Sequence, residues 1–125
     1  MGDVKFDLED RLVEFSCRII ELVELLPSTR AGVYIAGQVI RCGLAPALLY
    51  GEAQGAESRA DFIHKMKIAL KELKETRVCL KIISKVKMIL PVEKLNIIKS
   101  ENEQLISIIA KSIETAKRNL ASEKK

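Results

Sequence analysis

The sequence predicts an all-α fold, an antiparallel up-down-up-down four-helix bundle, on three observations. Apolar residues recur at spacings of 4 and 3 along most of the chain. Prolines and capping residues cut that pattern into four stretches. Nothing alternates with the period of two that a half-buried strand needs. A chain of 125 residues makes one domain, and 48% apolar against 30% charged residues supplies both a core and a surface.

Helix one is predicted over about residues 7–26. Leu8, Leu12, Phe15, Ile19, Leu22 and Leu26 fall on one stripe, widened by Val13, Ile20 and Val23. Glu9, Asp10, Glu14, Glu21 and Glu24 make its outer side acidic, and Pro27 stops it because proline lacks the amide donor.

Helix two is predicted over about residues 31–56. It carries Gly32, Gly37, Gly43, Gly51 and Gly55, five of the six glycines. A helix-interior glycine costs up to about 1 kcal/mol relative to alanine, so close approach of neighbouring backbones is the expected reason for keeping them. Pro46 removes a hydrogen bond to the Cys42 carbonyl and predicts a kink or short break near residues 42–46. Ala31 to Tyr50 is 20 residues long with a single charge, Arg41, at its middle. A central arginine costs roughly 2.5–3.5 kcal/mol on insertion into a bilayer, so a buried central helix is expected here and no membrane partner.

Helix three is predicted over about residues 58–88. Ser58-Arg59-Ala60-Asp61 has the form of a capping box with Asp in place of Glu. Phe62, Met66, Ala69, Leu73, Thr76, Leu80 and Ile83 continue the 4, 3 spacing. Pro91 bounds helix four, predicted over about 92–120 on Leu95, Ile98, Leu105, Ile109 and Ile113, with 121–125 a frayed polar tail. Connections of about four residues force neighbouring helices antiparallel. Ile97, Ile98, Ile106, Ile108 and Ile109 exceed what a bundle core takes from one helix, and that surplus points to self-association.

The net charge of +4 is unevenly spread. Residues 1–26 hold three basic and seven acidic groups, whereas residues 57–90 hold nine basic and four acidic. Lys67, Lys71, Lys74, Lys81 and Lys85 align on one stripe of helix three. One reading is a strip that binds RNA or DNA backbone and releases counterions. The other is a solvated face, or pairing with the acidic helix one, and it is favoured because no aromatic residues interleave to stack bases.

Catalytic chemistry has little to build on. His64 lies one turn after Asp61, yet no nucleophile is fixed beside the pair, and one His cannot complete a usual zinc site. No phosphate-binding glycine loop or hydrolase motif is present, so no catalytic residues, metal or cofactor are expected. The acidic, interrupted start has no signal-peptide form, and Cys17, Cys42 and Cys79 cannot all pair within the chain. Both points fit a reducing cytoplasm, with all three cysteines as small buried hydrophobes. Gln38, Arg41 and Glu52 lie near one stripe of helix two, and a buried Arg41 needs a partner such as Glu52, Glu72 or Glu75. An internal polar clasp that fixes helix register is the expected arrangement, with a ligand site as the minority reading.

The run from Gln38 to Thr76 resembles the four-helix bundle proteins related to the 23S rRNA intervening-sequence protein. The resemblance rests on a Gln-x-x-Arg at Gln38 and Arg41, Glu52-Ala53 before the turn, and the Ser-x-x-Asp-Phe of Ser58, Asp61 and Phe62. Lys71-Glu72 with Glu75-Thr76 completes it. It weakens in helix one and is only architectural in helix four. Where the family usually has Ser-Ile-x-x-Asn in helix two, this chain has Ala45-Pro46-Ala47-Leu48-Leu49. The resemblance implies a cytoplasmic bacterial protein, a homopentameric ring and no established enzymatic activity. The similar accessory proteins of diversity-generating retroelements imply nucleic-acid binding alongside a reverse transcriptase. An oligomer that binds nucleic acid, a scaffold that binds a protein partner, and an enzyme are the three functions to separate.

Overall fold

A computed structural model describes residues 7–123, and they form four α-helices: α1 (Leu8–Val23), α2 (Arg30–Gln54), α3 (Arg59–Val86) and α4 (Asn96–Glu123). A single 3₁₀ turn, Val92–Leu95, leads into α4, and no strand occurs among the described residues. The starts of α1, α2 and α3 are marked by chemistry visible in the sequence. Asp7, Thr29 and Ser58 adopt extended backbone angles and accept hydrogen bonds from the amides of Asp10, Gly32 and Asp61 respectively. α3 ends on Lys87 in the left-handed region (φ 60°), a position that suits glycine better than lysine.

Ion pairs across the seams show the direction of each neighbour. Arg41 meets Glu72 and Glu75 while Lys65 meets Glu52, so α2 and α3 run in opposite directions. Arg77 with Glu103 and Arg59 with Glu123 do the same for α3 and α4. The helices pack in cyclic order, α1 against α2, α2 against α3, α3 against α4, and α4 back against α1. The α1–α4 seam is the thinnest of the four. Among the described residues no close backbone approach spans the diagonal between α1 and α3, whose side chains meet only in the shared core.

The core follows the predicted stripes: Leu12, Phe15 and Ile19 from α1, Val39 and Cys42 from α2, Met66, Leu73, Leu80 and Ile83 from α3, and Leu105 and Ile109 from α4. Two glycines explain how tightly α2 fits against α1 and against the turn that precedes it. A Cβ at Gly32 would fall 1.9 Å from the Pro27 carbonyl oxygen, and one at Gly43 would fall 2.8–3.0 Å from the Ile19 side chain. Asn102 is the one buried side-chain amide; its Nδ2 donates to the Leu73 carbonyl at 3.2 Å, and its Oδ1 has no hydrogen-bond partner among the described residues.

Several expectations need correction. α1 stops at Val23, because Leu25 and Leu26 turn back onto Leu22 and Val23 before Pro27 is reached. Of the kink or short break expected near residues 42–46, the break does not occur: α2 is helical throughout, with Pro46 inside its 25 residues. α4 begins at Asn96, after the tighter 3₁₀ turn that follows Pro91, and continues into the expected frayed tail as far as Glu123. Lys124 and Lys125 lie outside the described residues. Cys17 is exposed, not buried. Ile106 and Ile108 pack against the core, so α4 has less apolar surplus than its sequence suggested.

A Lys87→Gly variant should raise the unfolding free energy by about 1 kcal/mol, since glycine enters the left-handed region without the Cβ penalty. Urea denaturation measures it, and an unchanged or lower midpoint would contradict the cap geometry.

Candidate functional site

The five lysines of the predicted strip, Lys67, Lys71, Lys74, Lys81 and Lys85, are all exposed along the outer face of α3. They span 19 residues, about 27 Å of helix. None of the ion pairs among the described residues engages them. The acidic outer face of α1 stands at the diagonally opposite corner, so the lysines cannot be neutralised by it within one chain. Val78, Ile82 and Val86 share this side of α3 and are also exposed. The face is therefore cationic with apolar gaps.

The polar set on α2 is rearranged from expectation. Arg41 donates to Glu72 Oε1 at 3.1 Å, to Glu75, and to Gln38 Oε1 at 3.2 Å, while Gln38 donates to the Tyr34 hydroxyl at 3.4 Å. Glu52 stays outside this cluster and pairs with Lys65 at 2.9 Å. Arg41 is 50% exposed, so the clasp lies at the rim of the α2–α3 seam and not inside the core; the Glu72 side chain, 12% exposed, is its most covered member. The reason is rotational: the buried stripe of α2 centres on Val39, and Arg41, two residues on, is turned well away from it. Hydrogen bonding to Glu52 raises the Lys65 pKa, which keeps that cross-seam pair charged. Thr76 is buried and spends its hydroxyl on the Glu72 carbonyl at 2.9 Å, and Phe62 packs against the core edge. Ser58 and Asp61 serve the α3 cap. These family-motif residues are thus occupied in folding.

An open cleft of about 930 Å³ lies at one end of the bundle, between the start of α1, the α2–α3 turn and the last turns of α4. Tyr50 and Phe62 contribute aromatic walls, and Arg59, Lys111 and Asn119 contribute polar ones. Its polar groups form no nucleophile–base pair, and no cluster of metal-ligating side chains occurs among the described residues. His64 is exposed on α3, and no hydrogen bond joins it to Asp61. Cys42 and Cys79 are buried near each other at the α2–α3 seam; desolvation pushes both thiols up, Cys79 to about 11. Neither is a thiolate at neutral pH.

These observations define a class: a small helical bundle whose distinctive chemistry is spread over its outer faces and not gathered in a pocket. The chain belongs to the 23S rRNA-intervening sequence protein family, whose profile matches residues 5–111. It is similar to a solved structure from Bacteroides thetaiotaomicron, described as a protein with unknown function from the S23 ribosomal protein family. The two are 30% identical, with a TM-score of 0.79, over 86% of this chain and 98% of that one. Comparison with curated proteins returns no match.

Sequence reasoning missed one feature of this surface, the exposed apolar side of α2, where Val33, Tyr34 and Leu48 are each more than 60% exposed. The helix is long and apolar enough to cross a membrane by length and composition, yet only 28% of its most apolar stretch is buried in the bundle. Its 20-residue low-charge run was the available signal, and reading it as a central core helix hid its meaning.

Two outcomes check this geometry. Arg41→Ala should lower the unfolding midpoint in urea, and a double-mutant cycle with Glu75→Gln should show coupling between the two. The Cys79 thiol has a folded pKa raised above its ordinary value of 9.0. Its contribution to stability is therefore complete below pH 9 and lost as pH rises through about 11. Unfolding midpoints measured from pH 8 to 11 should fall more steeply in the wild type than in Cys79→Ala.

Proposed function

We propose that this chain is a non-enzymatic homo-oligomeric module of the cytoplasm that holds nucleic-acid backbone on the lysine face of α3. The observation that carries the reading is the row of five lysines facing outward without carboxylate partners. A row of unpaired ammonium groups gains by meeting phosphates and displacing their counterions, and it reads shape more than sequence. Self-association strengthens the effect, because a copy carrying +4 adds its field to those of its neighbours. A ring of five is the assembly that the family resemblance implies.

One observation favours a second reading. Val78, Ile82 and Val86 interrupt the lysines with exposed apolar surface, which suits a scaffold binding a protein partner, such as a reverse transcriptase, without nucleic acid.

The discriminating experiment is a titration of single-stranded RNA and duplex DNA across a salt series. Nucleic-acid binding predicts log affinity falling linearly with log salt, and a Lys71→Glu/Lys74→Glu variant should bind at least tenfold more weakly at low salt with a shallower slope. A flat salt response, or an unaffected variant that still captures a protein partner, would overturn the reading in favour of the scaffold.

A further inference from the structure

Among the described residues, Asn102 is the one side chain that leaves a buried polar atom without a hydrogen-bond partner. It lies on α4, 1% exposed, and its Nδ2 donates to the Leu73 carbonyl of α3 at 3.2 Å. That bond settles which end of the amide is which: the amine is used on α3, and the acceptor Oδ1 is left over. A buried acceptor with no donor costs stability, whereas an apolar side chain of similar size would fill the seam without that cost. Asn102 also forms part of the wall of a small pocket in the α3–α4 seam, about 190 Å³ in volume. Leu80 supplies an apolar wall, and Arg77, Lys81, Lys99 and Glu103 supply charged ones.

The charges around this pocket do not balance. Arg77 donates to Glu103 Oε1 at 3.2 Å, so those two offset each other. Lys81 and Lys99 have no carboxylate within ion-pair distance among the described residues. Lys81 belongs to the outward lysine row of α3, and Lys99, half-buried, lines the same pocket from α4. The pocket is therefore part of the lysine face, and it combines two ammonium donors with one neutral acceptor.

We infer that this pocket holds one ribonucleotide of a single-stranded RNA, with its phosphate at Lys81 and Lys99 and its ribose 2′-hydroxyl donating to Asn102 Oδ1. The inference rests on the nucleic-acid part of the proposed function and names which nucleic acid that face selects. A phosphodiester and a deoxyribose offer acceptors only. The 2′-hydroxyl is the hydrogen-bond donor that an RNA backbone has and a DNA backbone lacks. An acceptor set beside two cations thus separates RNA from DNA without reading a base. The size agrees, since about 190 Å³ falls below the roughly 300–1,000 Å³ of sites for drug-sized ligands and suits a single sugar unit. A sugar enters a recess where its strand is free to bend, which favours a single strand over a duplex.

The test titrates the whole chain, across a salt series, with three labelled oligouridylates of equal length built on ribose, deoxyribose or 2′-O-methyl ribose. All three carry the same base, so only the sugar differs. One hydrogen bond of ordinary net strength predicts that the ribose strand binds about fivefold more tightly than the deoxyribose strand at equal salt. The 2′-O-methyl strand keeps the ribose shape without the donor and should bind like deoxyribose. Asn102→Leu should abolish the preference and leave the salt slope unchanged, whereas Lys99→Gln should weaken all three strands and make the slope shallower by about one. The methylated strand probes the acceptor in the unaltered chain, so the result does not depend on how well the leucine variant folds. A methylated strand that binds as tightly as ribose, or a preference that survives Asn102→Leu, overturns the site. Equal, salt-dependent binding of ribose and deoxyribose strands assigns the pocket to water and overturns the site, while the backbone reading stands. Absence of salt-dependent binding by any strand overturns both.

Discussion

The close approach of α1 and α2 at Gly43 governs the rest of the molecule. Ile19 sits where a side chain at position 43 would have to go, so the two helices touch backbone to side chain at that point. This contact fixes the rotation of α2 about its own axis. Once Gly43 and Val39 face inward, Arg41 must face the α3 rim, and Gly37 and Gly51 must face outward. The clasp with Glu72 and Glu75 then secures α2 to α3 from outside the core, while Cys42, Met66, Leu73 and Cys79 fill the seam from within. A single rotational setting thereby determines which residues are structural and which are offered to a partner.

The surface that results is partitioned by chemistry. α1 shows carboxylates, α3 shows lysines at the opposite corner, and α2 between them shows aliphatic groups. The five lysines of α3 have no carboxylate partner among the described residues, whereas on α1 Glu14 is paired with Arg18. The buried thiols, the satisfied caps and the exposed His64 add no competing chemistry.

Much of the fold was legible because stripes of Leu, Ile and Phe at spacings of 4 and 3 have few other uses. The lysine strip was legible for the same reason, since spacing alone puts Lys67, Lys71 and Lys74 on one side of a helix. What could not be read required knowing how each helix is turned. The apolar neighbours of Arg41 suggest burial, yet two residues from Val39 is about 200° of rotation. Glu52 was placed with Arg41 by angle, but it stands three turns further along, opposite Lys65. Ile106 and Ile108 read as surplus from their places along α4 alone, and only the packed bundle shows them resting against the core. The five glycines of helix two looked alike until their surroundings separated them.

The thin seam between α1 and α4 is also the one that no connecting segment closes, since it lies between the first helix and the last. α1 is therefore the element whose release from the bundle breaks the fewest packing contacts, and α2, α3 and α4 remain joined by two successive hairpins when it leaves. A crowded population of such chains can trade first helices, each α1 completing a neighbour's bundle and leaving every core filled, so domain swapping is a route to entangled assemblies built into the topology.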